Sequence, residues 1–118
     1  MISTEYAAGF FDGEGTVYAA VRNKPYRNFT VLVTIPNTVA APLIAFKERW
    51  GGSLNANQPP GNRKLQYQWV LAPNNARVFL RDVRPHLIVK AAVADVAIEL
   101  LDLLALPIRE RMDYSQLR

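Results

Sequence analysis

Residues 6–15 read YAAGFFDGEG, and this stretch decides what kind of fold the chain is expected to adopt. Small residues and two phenylalanines lead into two acids, and glycine stands on both sides of the second acid. The segment predicts a short helix, because serine or threonine at positions 3–4 can cap its N-terminus and Glu5 suits the positive end of the helix dipole. The helix is expected to stop at the Gly13/Gly15 pair.

Two β-hairpins are predicted downstream of this helix. Residues 16–35 form two strands around a turn at Asn23-Lys24-Pro25, and apolar and polar side chains alternate along the second strand. Residues 53–57 and 64–72 form a second pair, joined by the loop QPPGNR. Trp69 points to the same side of its strand as Tyr67, and both tryptophans of the chain are expected in the core.

Three further helices are predicted. The first covers residues 37–52, with Asn37 or Thr38 as cap and Gly51-Gly52 as its stop. The second covers residues 74–83 with an asparagine cap. The third is long, opens at Arg84-Pro85 and ends at Pro107. The apolar positions of this last helix recur at helical spacing: Val93, Val96, Ala97, Leu100, Leu101 and Leu104.

The element order α-β-β-α-β-β-α-α predicts an α+β fold with one four-stranded antiparallel sheet whose helices cover one face. The length of 118 residues fits a single domain over residues 1–118. The other face of the sheet is expected to be open and polar, and it carries these residues: Tyr18, Arg22, Lys24, Asn28, Thr30, Thr34, Asn55, Asn57, Gln66 and Gln68. Asn, Gln, Thr and Arg pair with base edges in the DNA major groove, although any solvated sheet face is also polar.

Composition and charge narrow the class of protein. The chain has no cysteine, which excludes disulfides and thiolate metal sites. No signal segment is visible, and the most apolar run is interrupted by Asp95, Glu99 and Asp102, so an intracellular protein without a membrane span is expected. The net charge is +4, and between Thr16 and Leu71 there are seven basic residues and one acid. This segment is therefore a candidate surface for a polyanion.

The motif AAGFFDGEG, residues 7–15, resembles the signature that names the LAGLIDADG homing endonucleases, and the element order behind it resembles the core of that family. The resemblance implies an intron-encoded hydrolase, a nuclease that makes site-specific double-strand breaks in DNA. The chain has one motif and no internal repeat, so the resemblance implies a homodimer whose saddle-like sheets lie along a long pseudo-palindromic duplex.

The resemblance also implies roles for individual residues. Glu14, with Gly13 beside it, would bind Mg²⁺ or another divalent cation, which a carboxylate needs in order to approach a phosphate. Asn37 and Lys90 map to positions near the reaction centre, where a lysine could stabilise phosphate charge or steer the attacking water. Two alternatives stay open: Asn37 as a helix cap, and Lys90 as an ordinary surface lysine.

The outer side of the first helix is the expected dimer interface. Gly9 and Gly13 lie four residues apart, so two such helices could approach closely. The predicted interface comprises Ala8, Gly9, Asp12 and Gly13. Asp12 is expected to act as a local hydrogen-bonding or capping residue rather than as a second metal ligand.

The DNA-binding residues are expected on the sheet and its hairpins. Phosphate contacts or guanine recognition are assigned to Arg22, Lys24, Arg27, Arg63 and Lys64. Base recognition is assigned to Asn28, Thr30, Thr34, Asn55, Asn57, Gln66 and Gln68, with Thr16 and Tyr18 as further contacts. The sequence leaves two alternative functions open. One is a non-enzymatic DNA-binding regulator or RNA-splicing maturase on the same fold, and the other is an unrelated α+β interaction or ligand-binding module.

Overall fold

The computed structural model describes residues 1–22, 28–58, 60–61 and 64–106. The elements follow one another as α1 Thr4–Glu14, β1 Thr16–Arg22, β2 Asn28–Asn37, α2 Ala40–Trp50, β3 Ser53–Asn57, β4 Gln66–Leu71, α3 Pro73–Val83, a 3-10 turn Arg84–His86 and α4 Ala91–Leu104. This α+β order confirms the prediction. The predicted turn at residues 23–25, part of the loop at 58–63 and the expected helix stop at residue 107 lie outside the described residues.

The four strands form one antiparallel sheet in the order β1-β2-β4-β3. β1 begins opposite Thr34, so the last residues of β2 have a strand neighbour only on the β4 side. Pro36 is tolerated in this central strand because the ladder between β1 and β2 has already ended at its position. The C-terminal end of β2 therefore lies at the same end of the sheet as the start of β1, which follows α1.

The helices cover one face of the sheet, as predicted. The alternating residues Val31, Val33 and Ile35 of β2 are fully buried beneath them. Phe79 of α3 lies at the centre of an aromatic cluster, with its ring centroid 5.3 Å from that of Trp69, 4.8 Å from that of Trp50 and 5.1 Å from that of Phe11. The prediction that both tryptophans belong to the core is confirmed.

The start of α2 differs from the prediction, whereas its end does not. Asn37 is the last residue of β2, and its Oδ1 accepts a hydrogen bond from the backbone N–H of Val39 at 2.8 Å, so it shapes the turn that enters the helix. The helix itself begins at Ala40. It ends at Gly51, whose φ of 79° lies in the left-handed region that favours glycine.

The predicted asparagine cap of α3 is wrong. The residue in the cap position is Ala72, and Pro73 occupies the first turn, where a missing N–H costs nothing and the fixed φ suits the helix. Asn75 lies inside the helix, and its Nδ2 donates to the backbone oxygen of Trp50 at 3.0 Å. The asparagine therefore caps the end of the neighbouring α2.

The predicted start of the last helix at Arg84-Pro85 is also wrong. Residues 84–86 form only one 3-10 turn, Leu87 is extended, and α4 begins at Ala91 with Lys90 in the cap position. The chain is interrupted here because the side chain of Asp12 binds the backbone N–H groups of residues 88–90, as described below.

The apolar stripe of α4 is only partly as predicted. Ala97 and Leu101 are buried, but Val93 and Val96 are 44% and 57% exposed. Ion pairs with the preceding helix orient α4: Arg84 Nε contacts Asp95 Oδ1 at 2.5 Å, and Arg81 Nη2 contacts Asp102 Oδ2 at 2.8 Å. These carboxylates face α3 and its 3-10 extension, and the two valines are left at the surface. No helix in the described ranges is long and apolar enough to cross a membrane.

Gly15 is explained by packing inside the protomer. It is buried with an ordinary φ of −85°, so its backbone conformation does not require glycine. A Cβ at this position would collide with the ring of Phe11 and lie 2.8 Å from the Phe11 carbonyl oxygen. The glycine at this position therefore has an intramolecular reason: the ring of Phe11 fills the space that a side chain would need.

We expect Gly15→Ala to lower the free energy of unfolding by about 1–3 kcal/mol, because the methyl group overpacks the junction of α1 and β1. Urea denaturation measures this loss. Phe11→Leu removes the ring that the methyl group meets, so the double variant should lose less than the sum of the two single variants. Strictly additive losses would contradict this explanation.

Candidate active site

The exposed side of α1 is centred on two glycines. Ala7, Ala8 and Phe11 face the core and are fully buried, whereas Gly9 and Gly13 are exposed on the opposite side. Among the described residues, a Cβ on either glycine would meet no atom within 4 Å. Of the residues predicted for a dimer interface, Ala8 therefore packs inside the protomer, and the two glycines form a smooth outer surface without side chains.

Glu14 is the last residue of α1 and is exposed at its C-terminal end. Its carboxylate has no hydrogen-bond or ion-pair partner among the described residues of this chain. The helix dipole is unfavourable for an anion here, because the C-terminal end of a helix is its negative end. An unpaired carboxylate at this end of a helix is suited to binding a cation.

Asp12 joins the end of α1 to the start of α4. Its Oδ2 accepts hydrogen bonds from the backbone N–H groups of Ile88 at 2.7 Å and Val89 at 3.0 Å, and its Oδ1 accepts one from Lys90 at 2.8 Å. Both carboxylate oxygens are therefore engaged. The expectation that Asp12 forms hydrogen bonds within the protomer is confirmed, but its partners lie 76 to 78 residues away rather than locally. Glu14 is left as the acid of the motif without a partner among the described residues.

The hydrogen bonds of Asp12 determine its ionisation. Desolvation is the largest single influence and opposes ionisation, but the three backbone hydrogen bonds and the positive charge of Lys90 together outweigh it. The pKa of Asp12 is therefore lower than its ordinary value. The carboxylate is charged at neutral pH and complements three N–H donors that the start of α4 would otherwise leave without partners.

Lys90 returns a hydrogen bond to the same helix end. Its Nζ donates to the backbone oxygen of Asp12 at 2.7 Å and lies 6.0 Å from the centroid of the Phe11 ring. A cation bound to a carbonyl oxygen in the last turn of α1 is favourable, because that end of the helix carries partial negative charge. Lys90 is thus tied to the helix end that carries Glu14 and is not a freely solvated surface lysine.

Asn37 is the last residue of β2 and lies at the end of the sheet where α1 leads into β1. Its side-chain oxygen accepts the N–H of Val39, so it shapes the turn before α2 but does not cap the helix, which has no side-chain cap. Its side-chain nitrogen has no partner among the described residues. The three residues predicted for the reaction centre, Glu14, Asn37 and Lys90, therefore belong to three elements that meet at one end of the fold.

The open face of the sheet brings together most of the residues predicted to contact DNA. Cross-strand pairs place the following residues on this face: Thr16, Tyr18, Thr30, Thr34, Asn55, Asn57, Gln66 and Gln68. Sequence reasoning did not assign four further residues that share the face, namely Leu32, Pro36, Ser53 and Val70. The alternation of the strands contained the signal for them, and along β2 it already placed Leu32 on the face opposite the core.

The basic residues predicted for DNA contacts lie mostly beyond the described side chains. Arg22 pairs with Asn28 at the outer end of the β1–β2 ladder, and only their backbones are described. Lys24, Arg27 and Arg63 lie outside the described residues. Lys64 is exposed just before β4.

A single protomer offers few ligands for a cation. No three His, Asp or Glu side chains come together anywhere in the described ranges. Glu14 supplies one carboxylate, and the neighbouring main chain at Gly13 supplies carbonyl oxygen. This donor set fits Mg²⁺, which is commonly held by one or two carboxylates and completes its shell with water and phosphate oxygens.

We expect Asp12→Asn to lower the free energy of unfolding at pH 7 by about 1–3 kcal/mol, because an uncharged amide with one acceptor oxygen replaces a carboxylate that serves three donors. The native pKa lies below the ordinary value of 3.8, so the contribution of the carboxylate is full above that value and is lost as the pH falls through the native pKa.

Urea denaturation of the wild type and the variant, from pH 7 down to about pH 2, measures this dependence. The difference between the two proteins should shrink at low pH. Glu48→Gln is the matched control, since it removes an exposed carboxylate from α2, away from any helix N-terminus. A difference that stays constant at low pH would contradict the role assigned to the charge of Asp12.

Comparisons with solved structures found homing endonucleases of similar fold. I-CvuI, in complex with its target in the presence of calcium, matches over 86% of this chain and 66% of its own, with a TM-score of 0.71 and 19% identity. The archaeal intron-encoded I-Vdi141I, complexed with DNA, matches over 86% of this chain and 67% of its own, with a TM-score of 0.70 and 21% identity.

The LAGLIDADG homing endonuclease I-GzeII, in complex with a DNA target, matches over 88% of this chain but only 36% of its own, with a TM-score of 0.70 and 15% identity. The chain thus spans about two thirds of the first two proteins and about a third of the last. Neither protein-family models nor curated protein sequences gave a match. The resemblance seen in the motif is confirmed by the structure: the chain has the fold of the LAGLIDADG homing endonucleases.

Proposed function

We propose that residues 1–118 act as one domain of a homodimeric, site-specific endonuclease that makes double-strand breaks in DNA with the help of a divalent cation. The observation that carries the proposal is the position of Glu14. Its carboxylate has no partner among the residues that the structure describes, and it lies at the end of a helix that carries two glycines on its outer side and leads into an open polar sheet.

DNA binding is supported by the sheet and by the charge of the chain. B-DNA admits a two-stranded β-ribbon into its major groove, and the open face presents amide and hydroxyl side chains that can reach base edges. The net charge of +4 is attractive for a duplex. Of the seven basic residues between Thr16 and Leu71, five lie in or beside the hairpin connections and two, Lys47 and Arg49, lie in the last turn of α2. I-CvuI, I-Vdi141I and I-GzeII, which share the fold, were solved with DNA.

A two-fold dimer is supported by the outer side of α1. Gly9 and Gly13 allow the helices of two copies to approach backbone to backbone. Two chains related by a two-fold axis would bring two Glu14 carboxylates together, one for each DNA strand.

The reaction would be hydrolysis of a phosphodiester. A divalent cation held at this end of α1 would supply an acidified water and would neutralise charge on the phosphate. The chain itself contributes the Glu14 carboxylate and the nearby carbonyl at Gly13 as ligands. Lys90, fixed beside this helix end by its bond to Asp12, places a positive charge where negative charge develops on the phosphate. Asn37 offers an amide N–H from the adjoining sheet edge to a DNA oxygen or to water.

We expect Glu14→Gln to reduce cleavage by at least about 100-fold, because a metal ion contributes several kcal/mol of transition-state stabilisation and an amide holds it poorly. The assay incubates a pooled random-duplex library with Mg²⁺ and sequences the new ends, with an EDTA control. Glu5→Gln is the matched variant on the same helix and should cut like the wild type.

DNA retention by Glu14→Gln should stay close to that of the wild type, since the sheet is unchanged. Equal cutting by wild type and Glu14→Gln would contradict the assignment of the metal ligand. Sequence-specific binding without any metal-dependent ends would instead support the DNA-binding regulator, and RNA retention without cutting would support the maturase.

We expect Gly9→Leu to abolish self-association while leaving the protomer folded. A Cβ at position 9 would meet no described atom within 4 Å outside its own helix backbone, and leucine favours helix over glycine by about 0.5–1 kcal/mol. In a two-fold dimer it would separate the two α1 helices. Sedimentation equilibrium measures association, and thermal unfolding checks the fold.

Asn74→Leu adds the same side chain to an exposed position of α3 and serves as the matched control. It should associate like the wild type. A Gly9→Leu protein that associates as tightly as the wild type would contradict the proposed interface.

A further inference from the structure

The strands of the open sheet are nearly free of charge. Apart from Arg22 at the end of β1, no residue of β1, β2, β3 or β4 is charged. The other basic residues assigned to DNA lie in the connections between strands rather than within them. A duplex on this face would therefore meet basic groups at the hairpin ends and neutral side chains along the interior of the sheet.

Four amides form a compact group on β3 and β4. Asn55 pairs with Gln68, and Asn57 pairs with Gln66, so all four side chains project from the same face and all are exposed. An Asn or Gln side chain presents one acceptor and one donor side by side. This pattern is complementary to adenine in the major groove, which offers N7 as acceptor and the N6 amino group as donor.

Apolar side chains occupy the neighbouring part of the face. Leu32 of β2 pairs with Tyr18 of β1, and Val70 of β4 pairs with Thr34 of β2. Leu32 and Val70 are half-buried, and Tyr18 is 54% exposed, so their outer surfaces remain accessible. In the major groove the thymine methyl group is the one apolar feature of the four bases.

Guanine has no matched partner among these side chains. Its O6 and N7 are both acceptors, and the side chains that pair with them best are arginine and lysine. No strand residue of these types lies inward of Arg22. A G·C pair over the interior of the sheet would place polar atoms against leucine and valine, or against amides of the wrong donor pattern.

We infer that this sheet selects A·T pairs: the DNA targets of the chain are A·T-rich at the positions that lie over β2, β3 and β4, with G·C pairs confined to other positions of each half-site. This inference rests on the proposed function and names its substrate class. Gln68 and Asn55 are the residues expected to specify adenine, and Leu32 and Val70 are those expected to favour thymine.

The test is selection of bound duplexes from a random library by the full chain in Ca²⁺, followed by sequencing. We expect A·T pairs at the interior positions of each half-site to be enriched by at least about fivefold, the lower end of what one good base contact provides. Gln68→Arg introduces a side chain matched to guanine, and one position in each half-site should change from A·T to G·C. Asn74→Arg adds the same charge on exposed α3 and should leave the selected sequence unchanged.

The outcomes separate the inference from the proposed function. Specific sites that are rich in G·C at the interior positions, or a Gln68→Arg variant that selects the wild-type sequence, would overturn the inference and leave the endonuclease intact. Failure to enrich any duplex would overturn the proposed function and the inference together.

Discussion

The three hydrogen bonds that the Asp12 carboxylate accepts from the backbone of residues 88–90 hold the functional end of this fold together. They link residues 76 to 78 positions apart in the chain, and Lys90 returns a fourth bond to the Asp12 carbonyl oxygen. The same contact ends the 3-10 turn, sets where α4 begins and brings Lys90 to the end of α1. The position of Glu14 relative to Lys90 depends on it.

Local patterns predicted most of the fold. The alternation along β2, the glycines after Trp50 and the order of strands and helices each arise from neighbours in sequence, and the structure confirms them. The predictions failed where contacts between residues distant in sequence determine the local structure. Arg84-Pro85 is a good helix start by local rules, but the amides of residues 88–90 bind Asp12 instead of continuing a helix. Likewise, the side chain of Asn75 donates a hydrogen bond to the last residue of α2 instead of capping its own helix.

In the candidate site, too, local features were predicted and contacts between distant residues were not. The motif predicted an exposed Glu14, smooth glycines at 9 and 13 and a hydrogen-bonding Asp12, because these follow from helical spacing and residue chemistry. It could not predict that Gly15 is required by the ring of Phe11, that Ala8 faces the core, or that Lys90 binds a carbonyl oxygen of α1. Those facts depend on how α1 packs against α3, the 3-10 turn and β2. The first acid of the motif thus holds the helix end in place, and the second is left free for chemistry.

The central claim is that each chain supplies one Glu14 to one strand of DNA. The most direct measurement joins two copies of the chain by a flexible linker, with Glu14→Gln in one copy, and incubates the fusion with Mg²⁺ and a supercoiled plasmid carrying the selected site. The account predicts nicked circles, while the fusion of two wild-type copies gives linear plasmid. Linear plasmid from the half-substituted fusion, at the rate of the wild-type fusion, would contradict it.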